Sequence, residues 1–339
     1  MRSLLLGLVI GAASGCQVFG FVRPAEVRIR VLDEDGNPLE GARINASFQA
    51  WARDEPGLED LDHVVRQTDR DGRAMLAGRS GHGVVPFSVR MDGYYRHVGD
   101  ARLDGATATG LLTPRQGEIE VTLYRRGNGI RREWKSLREM RFPMEGEFVG
   151  FDFKAGDWVA PHGRGQVADV EMKVEYVDLE VPEEILERQP VLGRNQHRFE
   201  ARFPEGAGIQ VHYAHPRRGS DLKFPREAPR DGYQRTLVYE STWYLTDQGV
   251  AGVRRTSDLD REDVNYLIRF RPMFDEEGNV VSVHYGGVAG QLAMSDTLGR
   301  AALLRYFYNP TPSDRTLEAR PPPPPTSPRP PPRGPAFEP

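Results

Sequence analysis

Five sets of residues have types and spacings that could do chemistry. Asp152, Asp157 and Asp169 fall close together beside Trp158. Paired carboxylates separated by about 5 Å or 6.5–9.5 Å run glycoside hydrolysis, and an indole face stacks on a sugar ring. Trp158, Trp243 and Tyr244 are therefore the candidate carbohydrate-binding residues. His212 and His215 invite a metal, but residues three apart on a strand point to opposite faces, and Pro216 keeps His215 extended. His162 sits in Pro161-His162-Gly163-Arg164-Gly165 without a Gly-x-Ser-x-Gly nucleophile pattern, and the same glycines lack the Lys-Ser/Thr of a phosphate-binding loop. Asp33-Glu34-Asp35-Gly36-Asn37 and Asp69-Arg70-Asp71-Gly72 echo the start of a calcium loop. The twelfth positions are Ile44 and Ser80, where a bidentate Glu is needed, so hairpin turns explain them better. No catalytic residue, metal ligand or cofactor is assigned on this basis.

The fifth set is one residue. Cys16 is the single cysteine of 339 residues. That excludes a disulfide framework within the chain and any multi-cysteine zinc site. It follows Met1-Arg2-Ser3, a charged start, and Leu4 to Ala13, an apolar run too short to span a bilayer as a helix. Ala13-Ser14-Gly15-Cys16 resembles a bacterial lipobox, with Ala13 where Leu is usual. The resemblance implies cleavage before Cys16 and a diacylglycerol on its sulfur. Gln17 in second place resembles the outer-membrane destination. The expected partners are thus a membrane, through the lipid anchor, and a glycan or envelope protein. A net charge of −4 speaks against a nucleic-acid partner. Only four of the 45 basic residues are lysine (Lys135, Lys154, Lys173, Lys223); the arginines are spread along the chain, as a GC-rich genome produces.

These residues must be positioned by strands. The chain holds 36 Gly and 27 Pro, which favours turns and short strands over long helices. Val27 to Val31, Ala42 to Phe48, Val85 to Met91 and Ile119 to Leu123 alternate apolar and polar residues. Glu55 to Val65 reads as a loop or short helix. The order of elements resembles the carboxypeptidase-regulatory-like, transthyretin-like sandwich of bacterial surface proteins. The resemblance rests on Asp35-Gly36-Asn37-Pro38-Leu39, Gly41-Ala42, Thr68-Asp69 to Gly72, and Gly93-Tyr94-Tyr95. It implies an antiparallel β-sandwich over residues 22–126 and an accessory role without an active site.

Arginine pairs at 125–126 and 131–132 flank a Gly-Asn-Gly link, read as a boundary. Residues 127–316 are again strand-like, with period-two runs from Val167 to Tyr176, Phe199 to Phe203, Thr236 to Tyr244 and Ala302 to Tyr308. Pro182 to Arg188 is the fair helix candidate. Phe151-Asp152 to Gly156-Asp157-Trp158-Val159-Ala160-Pro161, Ala228-Pro229 to Asp231-Gly232-Tyr233-Gln234, and Tyr306 to Asp314-Arg315 resemble blocks in C-terminal regions of uncharacterised bacterial proteins that pair with the same sandwich. Eleven of the last 19 residues are proline, so residues 317–339 are expected to be a disordered, proline-rich tail.

The expectation is therefore an all-β chain: a signal peptide (1–15), a lipidated linker (16–21), a sandwich (22–126), a larger β-rich domain (127–316) and the tail. The expected role is a non-enzymatic envelope lipoprotein, binding or presenting structure at the outer membrane or cell surface. The alternative is an envelope enzyme acting on glycans, or a carbohydrate-binding module.

Overall fold

The computed structural model describes residues 22–51, 58–186, 192–246, 249–255, 261–290, 293–295 and 301–320. The chain is all-β and divides between Tyr124 and Arg125 into two compact units.

The first unit contains β1 (Arg23–Asp33), β2 (Arg43–Trp51), β3 (Leu58–Gln67), β4 (Arg73–Ser80), β5 (Val84–Arg90), β6 (His97–Arg102), β7 (Gly105–Ala106), β8 (Leu112–Thr113) and β9 (Glu118–Leu123). One sheet is built around β1, with β4 antiparallel on one edge and β8 and β9 parallel on the other. The second runs β6-β5-β2-β3, antiparallel throughout. Alternation decides which faces meet. Val27, Ile29 and Val31 are buried while Arg28 and Arg30 turn away. Ile44, Phe48, Leu76, Val85, Val89 and Leu123 complete the core. Burying each large apolar side chain contributes about 1.5–3 kcal/mol before entropy is counted. The loop or short helix expected from Glu55 to Val65 is instead largely β3. Its polar, weakly alternating sequence hides a strand hydrogen-bonded to β2 along its whole length.

The acidic turns are hairpin devices. Oδ1 of Asp33 accepts the amides of Asp35 (3.0 Å) and Asn37 (2.8 Å), and Oδ1 of Asp69 accepts those of Asp71 (3.0 Å) and Arg73 (2.8 Å). Gly72 closes the second turn at φ +72°, and a Cβ there would stand 2.4 Å from the Val31 carbonyl oxygen. Gly36 has φ +83° but open space around it.

The second unit contains β10 (Glu133–Arg141), β11 (Val149–Asp152), β12 (Asp157–Trp158), β13 (Val170–Leu179), the one-turn α1 (Glu183–Leu186), β14 (Gly193–Arg202), β15 (Gly208–Tyr213), β16 (Gly219–Ser220), β17 (Thr236–Thr246), β18 (Gly249–Arg255), β19 (Val264–Phe274), β20 (Val280–Val288), β21 (Ala293–Ser295) and β22 (Ala301–Tyr308). One sheet runs β10-β22-β20-β19-β15 with β21 against β22; the other runs β12-β11-β13-β14-β17-β18. Phe151, Val174 and Phe199 of one meet Ile268, Phe270 and Tyr306 of the other, all fully buried. Sequence alternation did not reveal β10, whose residues Glu133 to Arg141 carry charges on both sides of Leu137.

The first sheet of this unit is also covered on its outer face. Phe224, Ala228, Leu267, Val283, Tyr285, Phe307 and Leu317 form a second, smaller core there. Asn309 locks the covering segment: its amide donates to the carbonyls of Asp314 (3.0 Å) and Thr316 (3.1 Å). The expected end of this domain at residue 316 is four residues short. Leu317 is buried, the Glu318 carboxylate accepts the Gly127 amide at 2.7 Å, and the Arg320 amide donates to Ile130.

The two turn glycines separate conformation from contact. Gly36→Ala is expected to cost about 1 kcal/mol from positive φ alone, and Gly72→Ala about 2–4 kcal/mol because the clash adds to it. Urea midpoints of the two variants check this; equal losses would remove the role assigned to the Val31 carbonyl.

Candidate functional site

The carboxylates of Asp152 and Asp169 converge in the second unit. β11 ends at Asp152, and the chain then turns tightly, with the Gly156 amide bonded to the Asp152 carbonyl at 2.8 Å and Gly156 at φ +70°. The Asp152 side chain holds this turn and the next. Oδ1 accepts the amides of Lys154 and Ala155, both at 2.9 Å. Oδ2 accepts those of Gln166 (3.1 Å) and Val167 (3.2 Å). Asp169, just before β13, accepts the Phe153 amide at 2.9 Å and is bonded through its own amide to Phe151.

Arg271 arrives from the facing sheet. Its Nη2 donates to Asp152 Oδ1 at 2.7 Å and to Asp169 Oδ2 at 2.9 Å, while Nε donates to Asp169 Oδ1 at 3.0 Å. The two carboxylates thus share one nitrogen, and Asp169 is held by two parallel bonds. Strict alternation would send Arg271 away from the side that Phe270 occupies. A bulge in the β19–β20 pairing and φ +56° at Arg271 re-aim it inward.

The electrostatics derive from this geometry. Burial opposes ionisation of Asp152, but the Ala155, Gln166 and Val167 amides and Arg271 overcome it and hold the group below its ordinary value. Burial dominates at Asp169 and raises it, although Arg271 pulls the other way. Burial and Arg271 depress Lys154, with Asp169 and Asp152 opposing. Burial also lowers His284, which stacks on Phe270 and faces the Asn309 carbonyl through Nδ1 at 3.2 Å. Tyr306 lies in the same neighbourhood and donates to the Phe153 carbonyl at 2.6 Å.

Such a cluster is a clamp. The Asp152 carboxylate accepts five donors and the Asp169 side chain has no solvent exposure. An acid or base acting on a glycosidic bond needs an open position facing the substrate. Asp157 is separate. It accepts the Trp158 amide at 2.9 Å and both the amide and Nε of Arg164 at 3.1 Å.

Trp158 offers no sugar platform. It is 4% exposed, donates from Nε1 to the Arg141 carbonyl at 3.0 Å, and packs between Phe142 and Phe151. Apolar burial with one satisfied indole N–H is its role. The backbones of Trp243 and Tyr244 lie in β17 between β14 and β18; their side chains fall outside the described residues. Cys16 falls outside them too. The histidines diverge. His212 meets the Lys223 carbonyl at 2.9 Å, and His215 meets Glu262 at 2.7 Å while its Nδ1 accepts the amides of Arg217 and Arg218. His162 is exposed. No cluster of three or more potential metal ligands occurs among the described residues.

Two residues were not singled out by spacing. Arg271 lies over a hundred residues from its partners; the signal was Pro272, since proline inside a strand run marks a bulge. Trp134, on β10, is 51% exposed.

No protein-family model matches the chain, and no curated protein matches it. Among solved structures, 3-chlorocatechol 1,2-dioxygenase from Rhodococcus opacus 1CP is similar at 14% identity and a TM-score of 0.25, over 30% of this chain and 60% of that one. Catechol 1,2-dioxygenase from Acinetobacter radioresistens gives 14% and 0.23, over 31% and 53%. The shaft pilin SpaA from Lactobacillus rhamnosus GG gives 9% and 0.21, over 75% and 89%. The chain spans about half to three fifths of the length of these dioxygenases.

The clamp predicts an order of stabilities. In Asp152→Asn an amide NH₂ must face backbone donors on one side, so the loss is expected at about 2–4 kcal/mol near neutral pH. Asp169→Asn is expected to cost less, because burial already disfavours its charge. The pH dependence has opposite signs. The Asp152 contribution is present above the ordinary aspartate value of 3.8 and lost as pH falls through its lowered folded value. The Asp169 contribution is complete below 3.8 and lost as pH rises through its raised value. Denaturant unfolding from pH 3 to 8 measures both, and a larger loss for Asp169→Asn would refute the assignment.

Proposed function

We propose that this protein is a cell-envelope lipoprotein, held by lipid on Cys16, whose two β units bind or present structure rather than catalyse. The observation that carries the reading is the position of the single cysteine, directly after an apolar run and Ala13-Ser14-Gly15. Acyl chains contribute about 0.8 kcal/mol per buried CH₂, so a multiply acylated cysteine anchors a chain stably. Gln17 favours the outer membrane as its address.

The carboxylates support the binding half of the reading. Asp152 and Asp169, the pair that a glycan-cleaving role would draw on, spend their lone pairs on Arg271 and on backbone amides. Trp158, the indole beside those carboxylates, is core.

The test is fractionation of a bacterial host expressing the full chain. Wild type is expected in the membrane pellet, solubilised by detergent. Cys16→Ser is expected in the soluble fraction or retained with its leader uncleaved, without incorporating labelled fatty acid. Unchanged partitioning and labelling of the serine variant would overturn the anchor.

A further inference from the structure

We propose that the outer face of the β10–β22 pair is a binding site for an acidic glycan, with Trp134 as the stacking platform and Arg305 as the carboxylate receptor. The inference rests on the binding half of the reading above and is independent of the lipid anchor.

Register puts four side chains on one face. Trp134 pairs with Phe307 and Ser136 pairs with Arg305. The intervening Tyr306 is fully buried in the inner core, as is Leu304, so Arg305 and Phe307 point outward. Trp134 and Arg305 are diagonal neighbours, about 7–8 Å apart at the backbone and within reach of long side chains.

The platform is built from below. Phe307 is fully buried, and the Trp134 ring rests on it at 5.0 Å between centroids with 46° between planes. Phe224 meets Phe307 edge-on at 4.9 Å, and the Arg132 guanidinium stands 4.1 Å from the Phe307 centroid. An indole supported in this way loses little freedom on binding, yet half its surface remains in water. Its exposed face is apolar and flat, a shape that a ring of matching size can cover.

The chemistry selects the ligand. A pyranose presents an apolar C–H face that covers an indole, and hydroxyls around its rim. Ser136 is exposed beside the platform and supplies a hydroxyl. Arg305 is exposed too, and no ion pair involving it occurs among the described residues. A guanidinium fork binds a carboxylate with two parallel bonds. A uronic-acid residue satisfies both demands, stacking on Trp134 and placing its carboxylate at Arg305. Trp158, the residue sequence spacing favoured for this task, is enclosed; Trp134 is its exposed counterpart.

The test titrates the full chain with tetragalacturonate and, separately, with neutral cellotetraose, following tryptophan fluorescence and heat. Tetragalacturonate is expected to bind more tightly, with quenching that disappears in Trp134→Ala. Affinity is expected to fall at least about tenfold in Trp134→Ala and only partly in Trp134→Phe, which keeps a stacking ring. Arg305→Gln is expected to abolish the preference for the acidic oligomer and leave weak binding. A cooperative thermal unfolding transition retained in each variant, with the half-buried Trp134→Ala expected to lose some stability, separates binding from folding. Absence of binding at about 10 mM, or equal binding by Trp134→Ala, overturns the site. Equal affinity for cellotetraose overturns the acidic assignment. Neither result bears on membrane partitioning, so failure here and failure of the anchor are distinguishable.

Discussion

The guanidinium of Arg271 spans the two sheets of the C-terminal unit and binds two buried carboxylates at once. Removing one member of a buried ionic set typically costs about 3–5 kcal/mol, because the charges left behind are stranded. The dependence extends beyond the ions. Asp152 holds the 153–156 turn on one oxygen and the 166–167 segment on the other, so the cation stabilises the carboxylate that shapes both loops. Those loops carry Phe153 and enclose Trp158, and through them the aromatic interior of Phe151, Phe153, Phe270 and Tyr306 is brought to register. The backbone at Arg271 adopts positive φ to make this reach, an unfavourable local conformation that three charged hydrogen bonds offset.

A clamp of this kind and a catalytic dyad draw on the same residue types. The distinction lies in where the lone pairs go. Aspartates whose oxygens are shared among backbone amides and a guanidinium order the fold; reactive carboxylates keep a face open to the substrate. The outer side of the same unit shows the complementary arrangement. There the aromatic base of Phe224 and Phe307 is closed off by the 309–318 segment, and Trp134 is the part left in water.

Much of the fold was legible because a sandwich strand advertises itself by period two. Val27-Arg28-Ile29-Arg30-Val31 and Phe199 to Phe203 read correctly from their own residues. β3 and β10 did not. Their residues are largely charged or polar, and their placement comes from partners elsewhere in the chain: β3 from β2, and β10 from β22, more than 150 residues on. The site was harder for the same reason. Asp152, Asp157, Asp169 and Trp158 were visible as neighbours in sequence, but the roles of Asp152 and Asp169 depend on Arg271, which reaches them from the facing sheet. Burial separates Trp158 from Trp134, and burial is a property of the finished packing.

The parallel pairing of β1 with β9 fixes how the first unit bears load. β1 enters at Arg23, and β9 leaves at Leu123, which lies beside Asp33 at the far end of β1. Ten steps at about 3.3 Å separate the two attachment points along the sheet, roughly 33 Å. Tension applied through the two chain ends therefore runs along these strands in opposite directions. Their ladder is loaded in shear, with the hydrogen bonds between Arg28–Asp33 and Glu118–Leu123 sharing the force together rather than opening one by one.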